Sequence, residues 1–287
     1  MSPEGISGVA DTAFLLAAFR AQESARPDAL FSDPLAARLA GERGQAMLAA
    51  VSHLGEVAGW SSIVRTVLID RLLIEALVRG VRTVLDLGAG LDTRPYRMAF
   101  PASLRWLEVD LPPVIAWKAE RLQDERPRCG LERIALDLLD GPARREWLAR
   151  ACPSDEPALV LAEGVLPYLE EADVGALASD LRAHPAIGGL IVDYLSPALV
   201  QARQAMARMR LHDLPLRFAP DDWQGFFAAH GWRVAEVRDL AREGVRCGRP
   251  FPVPEAARAL VQAGPPLLPE AAGGSSTFAA YALLEPA

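Results

Sequence analysis

Cysteine is scarce in this chain: 287 residues hold only Cys129, Cys152 and Cys247, an odd number, widely separated, with no C-x-x-C pair. That spacing excludes a disulfide framework and a thiolate zinc site, and free thiols suit a reducing, cytoplasmic compartment. Histidine is equally thin. His53, His184, His212 and His230 are scattered and none falls in an H-E-x-x-H or similar arrangement, so no metal site is expected. Basic residues are outnumbered, with 30 Lys and Arg against 37 Asp and Glu for a net charge of −7. No basic field exists to hold a phosphate backbone or an anionic lipid surface, which disfavours nucleic acid and membrane as partners. No apolar run reaches the ~18 residues of a spanning helix. The short apolar stretch near the N-terminus follows acidic residues and has no basic leader, so no signal peptide is expected.

What is present is 51% hydrophobic and 23% charged residues, the balance of a soluble chain with a large core. The length suits one elaborated domain. Residues 1–80 read as a helical cap, with apolar residues recurring at three and four (Leu15, Leu16, Phe19; then Val64, Val67, Leu68, Leu72, Leu77) in three or four helices. Asp33 before Pro34 reads as the cap of one of them. From Arg82 the texture changes. Thr83 to Leu87, Leu104 to Val109, Arg133 to Leu136, Ala158 to Ala162 and Leu190 to Tyr194 are short apolar runs, most of them separated by helical segments such as Pro113 to Gln123 and Glu171 to His184. Such alternation gives right-handed βαβ crossovers and a parallel, doubly wound α/β sheet, here over residues 81–195. Ser196 to Gly231, with Met206, Met209, Trp223, Phe226 and Phe227, reads as a helical insert packed against the sheet. The last stretch, 232–287, holds two further strands, Trp232 to Val237 and Thr277 to Leu284, with no clear helix between them. They are expected to pair antiparallel at the sheet edge.

The strongest local signal is Asp86-Leu87-Gly88-Ala89-Gly90-Leu91-Asp92-Thr93-Arg94. A glycine turn after the first strand of a doubly wound sheet lets backbone approach a ligand closely. Thr93 stands where a dinucleotide fingerprint carries its third glycine, and Asp92 sets a negative charge where a pyrophosphate would lie. A nicotinamide dehydrogenase is therefore a poor fit. S-adenosylmethionine carries no phosphate but a sulfonium and an ammonium, which acidic neighbours favour. Asp110 ends the second strand 22 residues beyond Gly88, the reach needed to accept both ribose hydroxyls. Asp137 is placed to accept from the adenine amine with Leu138 packed on the ring, and Glu163 sets another carboxylate at the same edge. An acid at a strand end is singly more often a helix cap. Four at successive strand ends make a binding edge.

The chain further resembles the leucine carboxyl methyltransferase family, including its bacterial branch of polyketide O-methyltransferases. The matching pieces are Thr12-Ala13 with Arg20-Ala21-Gln22-Glu23-Ser24, Phe31-Ser32-Asp33-Pro34-Leu35-Ala36, Arg65-Thr66 with Asp70, Gly88 through Arg97, Glu108-Val109-Asp110-Leu111-Pro112, and Ala162 through Leu169. The resemblance implies a seven-stranded class I methyltransferase fold and transfer of the sulfonium methyl to a carboxylate or hydroxyl oxygen of a small molecule. It implies that Arg65 takes the cofactor carboxylate, that Gly88 with Gly90 admits its backbone approach, that Asp110 holds the ribose and Asp137 with Leu138 the adenine. It sets Glu163 near the methionine part. For Arg65 a surface ion pair with Asp70 or Glu75 is the plainer alternative. A carboxylate acceptor needs no general base, whereas a phenol does, and the candidates are Glu163, Tyr168, Tyr194 and His212. Two other readings stay open, a protein C-terminal carboxyl as acceptor and a cofactor-binding protein of this fold without methyl transfer. Nothing in the sequence sets the oligomeric state.

Overall fold

The computed structural model describes residues 8–51, 55–151, 153, 155–201, 216–252 and 279–287. A 3-10 turn (Gly8–Asp11) leads into α1 (Thr12–Ser24), α2 (Ala36–Ala50) and α3 (Gly55–Val78). Phe14, Ala17 and Ala18 of α1 pack against Leu39 and Ala40 of α2, because apolar residues three and four apart share one helical face. Asp33 does not cap α2. It lies ahead of it with its carboxylate buried, accepting from Arg20 Nε at 2.9 Å and Thr93 Oγ1 at 2.7 Å, so it fastens the helical section to the first glycine turn.

Seven strands follow: β1 (Thr83–Leu87), β2 (Arg105–Asp110), β3 (Gly130–Ala135), β4 (Ala158–Ala162), β5 (Ile187–Leu195), β6 (Trp232–Asp239) and β7 (Ala279–Pro286). They form one sheet in the order β3-β2-β1-β4-β5-β7-β6. β1 to β5 run parallel, whereas β7 lies antiparallel between β5 and β6. The connections hold α4 (Arg94–Arg97), α5 (Pro112–Arg121), α6 (Gly141–Ala151), α7 (Glu171–Arg182), α8 (Trp223–Ala229) and α9 (Leu240–Arg246). The last corrects the expectation of no helix between the two final strands: α9 is capped by Asp239, the last residue of β6, whose side chain accepts from Arg242 N–H at 2.8 Å.

Strand alternation divides the core between the sheet's two faces. On one, Val84, Trp106, Leu161, Ile191 and Leu283 meet Val64, Leu68, Ile69 and Leu72 of α3. On the other, Leu85, Val109, Val160 and Val192 meet Leu148 of α6, Leu177 of α7 and Phe227 of α8. Each such buried side chain stabilises the fold by about 1.5–3 kcal/mol. Of the insert, Met206, Met209 and His212 lie outside the described residues. Of its described residues, Arg217 donates its N–H to the Pro167 carbonyl at 2.8 Å, and α8 sets the Trp223 and Phe227 rings 4.6 Å apart within the core.

Candidate functional site

β1 and β4 are neighbours from which the chain winds in opposite directions, so their carboxyl ends form the switch point at which doubly wound sheets bind ligands. Two turns meet there. In the β1 turn Gly88 (φ +64°) and Gly90 (φ +47°) occupy the left-handed region. Gly88 and Ala89 N–H groups both donate to the Val109 carbonyl, at 2.8 and 3.2 Å, which ties the turn to β2. The β4 turn, Glu163-Gly164-Val165, sits directly on it: a Cβ added to Gly88 would lie 2.4 Å from Val165 Cγ2.

The acids align across the sheet in the order of their strands. Asp137, after β3, is exposed and accepts from Leu139 N–H at 2.9 Å, with Leu138 buried beside it. Asp110, ending β2, accepts from Gly90 N–H at 2.6 Å and Leu111 N–H at 2.7 Å, so one carboxylate fixes the shape of the glycine turn. Burial pushes its acidity down, raising the pKa. Asp86, in β1, is 2% exposed and its Oδ2 has no hydrogen-bond partner among the described residues. Burial first, and Asp92 second, drive its pKa well above the usual carboxylate range. Glu163 Oε2 accepts from Arg94 Nη1 at 2.8 Å, and Oε1 lies 2.8 Å from Arg65 Nε.

Arg94 was outside the predicted site, yet it is the hub. Only 3% of its side chain is exposed, and it binds Asp70 (2.7 Å), Asp92 (2.8 Å) and Glu163 (2.8 Å). Burial alone would raise the Asp92 pKa, but Arg94, with Lys118 and Arg97, outweighs it and holds Asp92 ionised. The charge expected at Asp92 to repel phosphate is thus spent on Arg94. The alternative pairing of Arg65 is also overturned. Asp70 goes to Arg94 and Arg97, Glu75 goes to Arg238, and Arg65 faces Glu163. Its Nε is buried yet off the hydrogen-bond axis, and no hydrogen bond among the described residues claims its terminal nitrogens. Burial opposes its charge, and its acidic neighbours, Glu163 and Asp193 among them, counter that and keep it protonated.

Among the candidate bases, Tyr168 sits in a 3-10 turn (Leu166–Tyr168) after β4, near Arg65. Tyr194 packs edge-on against Trp223 with centroids 5.4 Å apart, on the opposite face of β5 from Asp193. His212 lies outside the described residues. Sequence reasoning missed Asp193 and Tyr281, which are hydrogen-bonded at 2.6 Å across β5 and β7. An aspartate inside the apolar run Ile191-Val192-Asp193 was the available signal. No group of three or more His, Cys, Asp or Glu among the described residues is placed to hold a metal, and no helix among them is long and apolar enough to cross a membrane.

A glycine cradle that a Cβ would fill, an orphaned buried Asp86 oxygen and the Asp110 and Asp137 carboxylates at the strand ends fit a ligand that offers hydrogen-bond donors better than a pyrophosphate. With this strand order, they define a class I methyltransferase fold. The chain belongs to the leucine carboxyl methyltransferase family, whose family model matches residues 13–182. A Streptomyces coelicolor protein classed among S-adenosyl-L-methionine-dependent methyltransferases is 36% identical over 260 residues, covering 85% of this chain and 90% of that one. One from Mycobacteroides abscessus, so classed, is 30% identical over 294 residues, covering 85% and 90%. Two solved structures share the fold. A Thermobifida fusca protein assigned as a methyltransferase superposes with a TM-score of 0.54 at 19% identity, covering 86% of this chain and 89% of its own. The Synechocystis PCC 6803 magnesium protoporphyrin IX methyltransferase, solved with bound SAH, gives 0.50 at 10% identity, covering 79% and 86%.

Proposed function

We propose that this protein is an S-adenosylmethionine-dependent O-methyltransferase whose acceptor is a carboxylate or hydroxyl oxygen of a small molecule, of the polyketide or related secondary-metabolite class. Methyltransferase activity and the cofactor follow from family membership. The observation that carries the cofactor's place is the acidic edge over the glycine turns, with the unpartnered Asp86 oxygen at its centre. The family's own name supports a carboxyl oxygen as acceptor.

Bound there, the cofactor supplies an electrophilic methyl on sulfur. The chain's residues supply binding and alignment. Asp110 accepts ribose hydroxyls on lone pairs that the Gly90 and Leu111 amides leave free. Asp137 accepts from the adenine amine with Leu138 against the ring, and Arg65 takes the cofactor carboxylate with its uncommitted nitrogens. Glu163, held by Arg94 and facing Arg65, sets the methionine end. Both of its oxygens are engaged, which makes it a poor choice as base. This suits an acceptor already ionised at pH 7. Holding oxygen and methyl in line is worth roughly 7–11 kcal/mol.

The test is turnover with S-adenosylmethionine over a panel of small carboxylic acids and phenols, read as S-adenosylhomocysteine and as methylated product by mass spectrometry. Methyl esters or ethers are expected. Methyl on nitrogen or carbon, transfer only to a protein C-terminus, or cofactor binding with no transfer across the panel would refute the reading.

A further inference from the structure

We propose that Asp193 and Tyr281 are positioning residues for the methionine end of the cofactor, acting through the Gly164 amide. The inference rests on the methyltransferase reading above. Asp193 is 8% exposed and both its oxygens are used: Oδ1 accepts from Tyr281 Oη–H at 2.6 Å and Oδ2 from Gly164 N–H at 2.7 Å. The pair therefore joins three elements. Asp193 and Tyr281 stand in register across β5 and β7, and Gly164 belongs to the turn after β4.

That turn carries the site. Gly164 has φ +70°, a conformation that only glycine adopts freely, and the neighbouring Glu163 and Val165 hang from it. Glu163 faces Arg65 and Arg94, Val165 covers Gly88, and a Cβ built on Gly164 would lie 3.7 Å from Arg65 Nη1. A shift of the Gly164 amide thus moves Glu163, Val165 and the surroundings of Arg65 together. The Glu163 and Asp193 carboxylates also support the Arg65 charge directly. Structural need alone does not account for a carboxylate here. A buried aspartate among Ile191, Val192 and Leu283 is costly unless fully bonded, and an apolar residue would serve the core better. The adenine side of the site, at Asp137 and Leu138 beyond β2 and β3, is remote in the sheet order from β5 and β7.

The test compares two ligands by isothermal titration: S-adenosylhomocysteine, and 5′-methylthioadenosine, which keeps the adenosine and sulfur but lacks the amino acid end. Tyr281→Phe removes one oxygen and should weaken S-adenosylhomocysteine about five- to tenfold, the size of one net hydrogen bond, while leaving 5′-methylthioadenosine within twofold. Asp193→Asn, which keeps one acceptor, should show the same asymmetry and guards against a fault peculiar to the first variant. Unchanged affinity for S-adenosylhomocysteine, or equal losses for both ligands, would overturn the inference. Wild-type protein that binds neither ligand would instead overturn the methyltransferase reading, and the inference with it.

Discussion

Replacing Gly88 by alanine probes the contact between the β1 and β4 turns. Two costs follow from the structure. At φ +64° an L side chain meets the left-handed penalty of about 1–2 kcal/mol. Its Cβ would also stand 2.4 Å from Val165 Cγ2, and relieving such a clash typically costs about 1–3 kcal/mol through displaced neighbours. The sum, about 2–5 kcal/mol, amounts to roughly 4–20 °C in Tm for a chain of this size. Gly248→Ala separates the two costs, because Gly248 has φ +74° and nothing within 4 Å of its built Cβ. It should lose the strain portion alone. Urea and thermal unfolding of both variants measure the stabilities, and calorimetry measures S-adenosylhomocysteine affinity. Gly88→Ala should lose affinity as well as stability, since Val165 must move, whereas Gly248→Ala should keep its affinity. Equal losses in the two variants, or a Gly88→Ala protein as stable as wild type, would refute the steric argument.

Three further outcomes are expected. Asp110→Ala strands the Gly90 and Leu111 amides along with the ribose hydroxyls and should weaken S-adenosylhomocysteine by about 1–3 kcal/mol; unchanged affinity in calorimetry would remove Asp110 from the site. Arg94→Met leaves Asp92 and Glu163 without their shared partner and should cost about 3–5 kcal/mol in urea unfolding, with a loss under 1 kcal/mol counting against its role as hub. Asp86→Asn tests the buried acid by pH. The native pKa of Asp86 lies above its unfolded value of about 3.9, so stability falls as pH rises from there through the native pKa. The variant lacks that titration. It should be more stable than wild type at pH 7, by a margin that shrinks toward pH 3, and bind cofactor more weakly; a margin independent of pH in thermal melts would contradict this.

The fold was legible where burial is two-sided. β1 and β4 lie toward the centre of the sheet, every residue is buried, and their short, mainly apolar runs matched the strand bounds residue for residue. β3 lies at an edge with alternating exposure, so its start at Gly130, ahead of Glu132 and Arg133, carried little apolar signal. Gly188 and Gly189 hid the beginning of β5 in the same way. α9 is seven residues long with Leu240 as its one large buried apolar residue, too little for a helical period to show. The acids at the strand ends were legible because topology brings strand ends together. The Arg94 hub was not, since its partners lie 24 and 69 residues away and only folding joins them. Asp33 was misread because an Asp before Pro has the local look of a cap, whereas its partners Arg20 and Thr93 come from distant segments.

The most direct test of the central claim is thermal unfolding with S-adenosylmethionine, S-adenosylhomocysteine and NAD added separately to protein whose ultraviolet spectrum shows no bound nucleoside. At about 100 times its dissociation constant a ligand stabilises by about 2.7 kcal/mol, or roughly 5–10 °C here. A shift with both sulfur compounds and none with NAD is the predicted result. A shift with NAD, and none with either sulfur compound, would contradict the account.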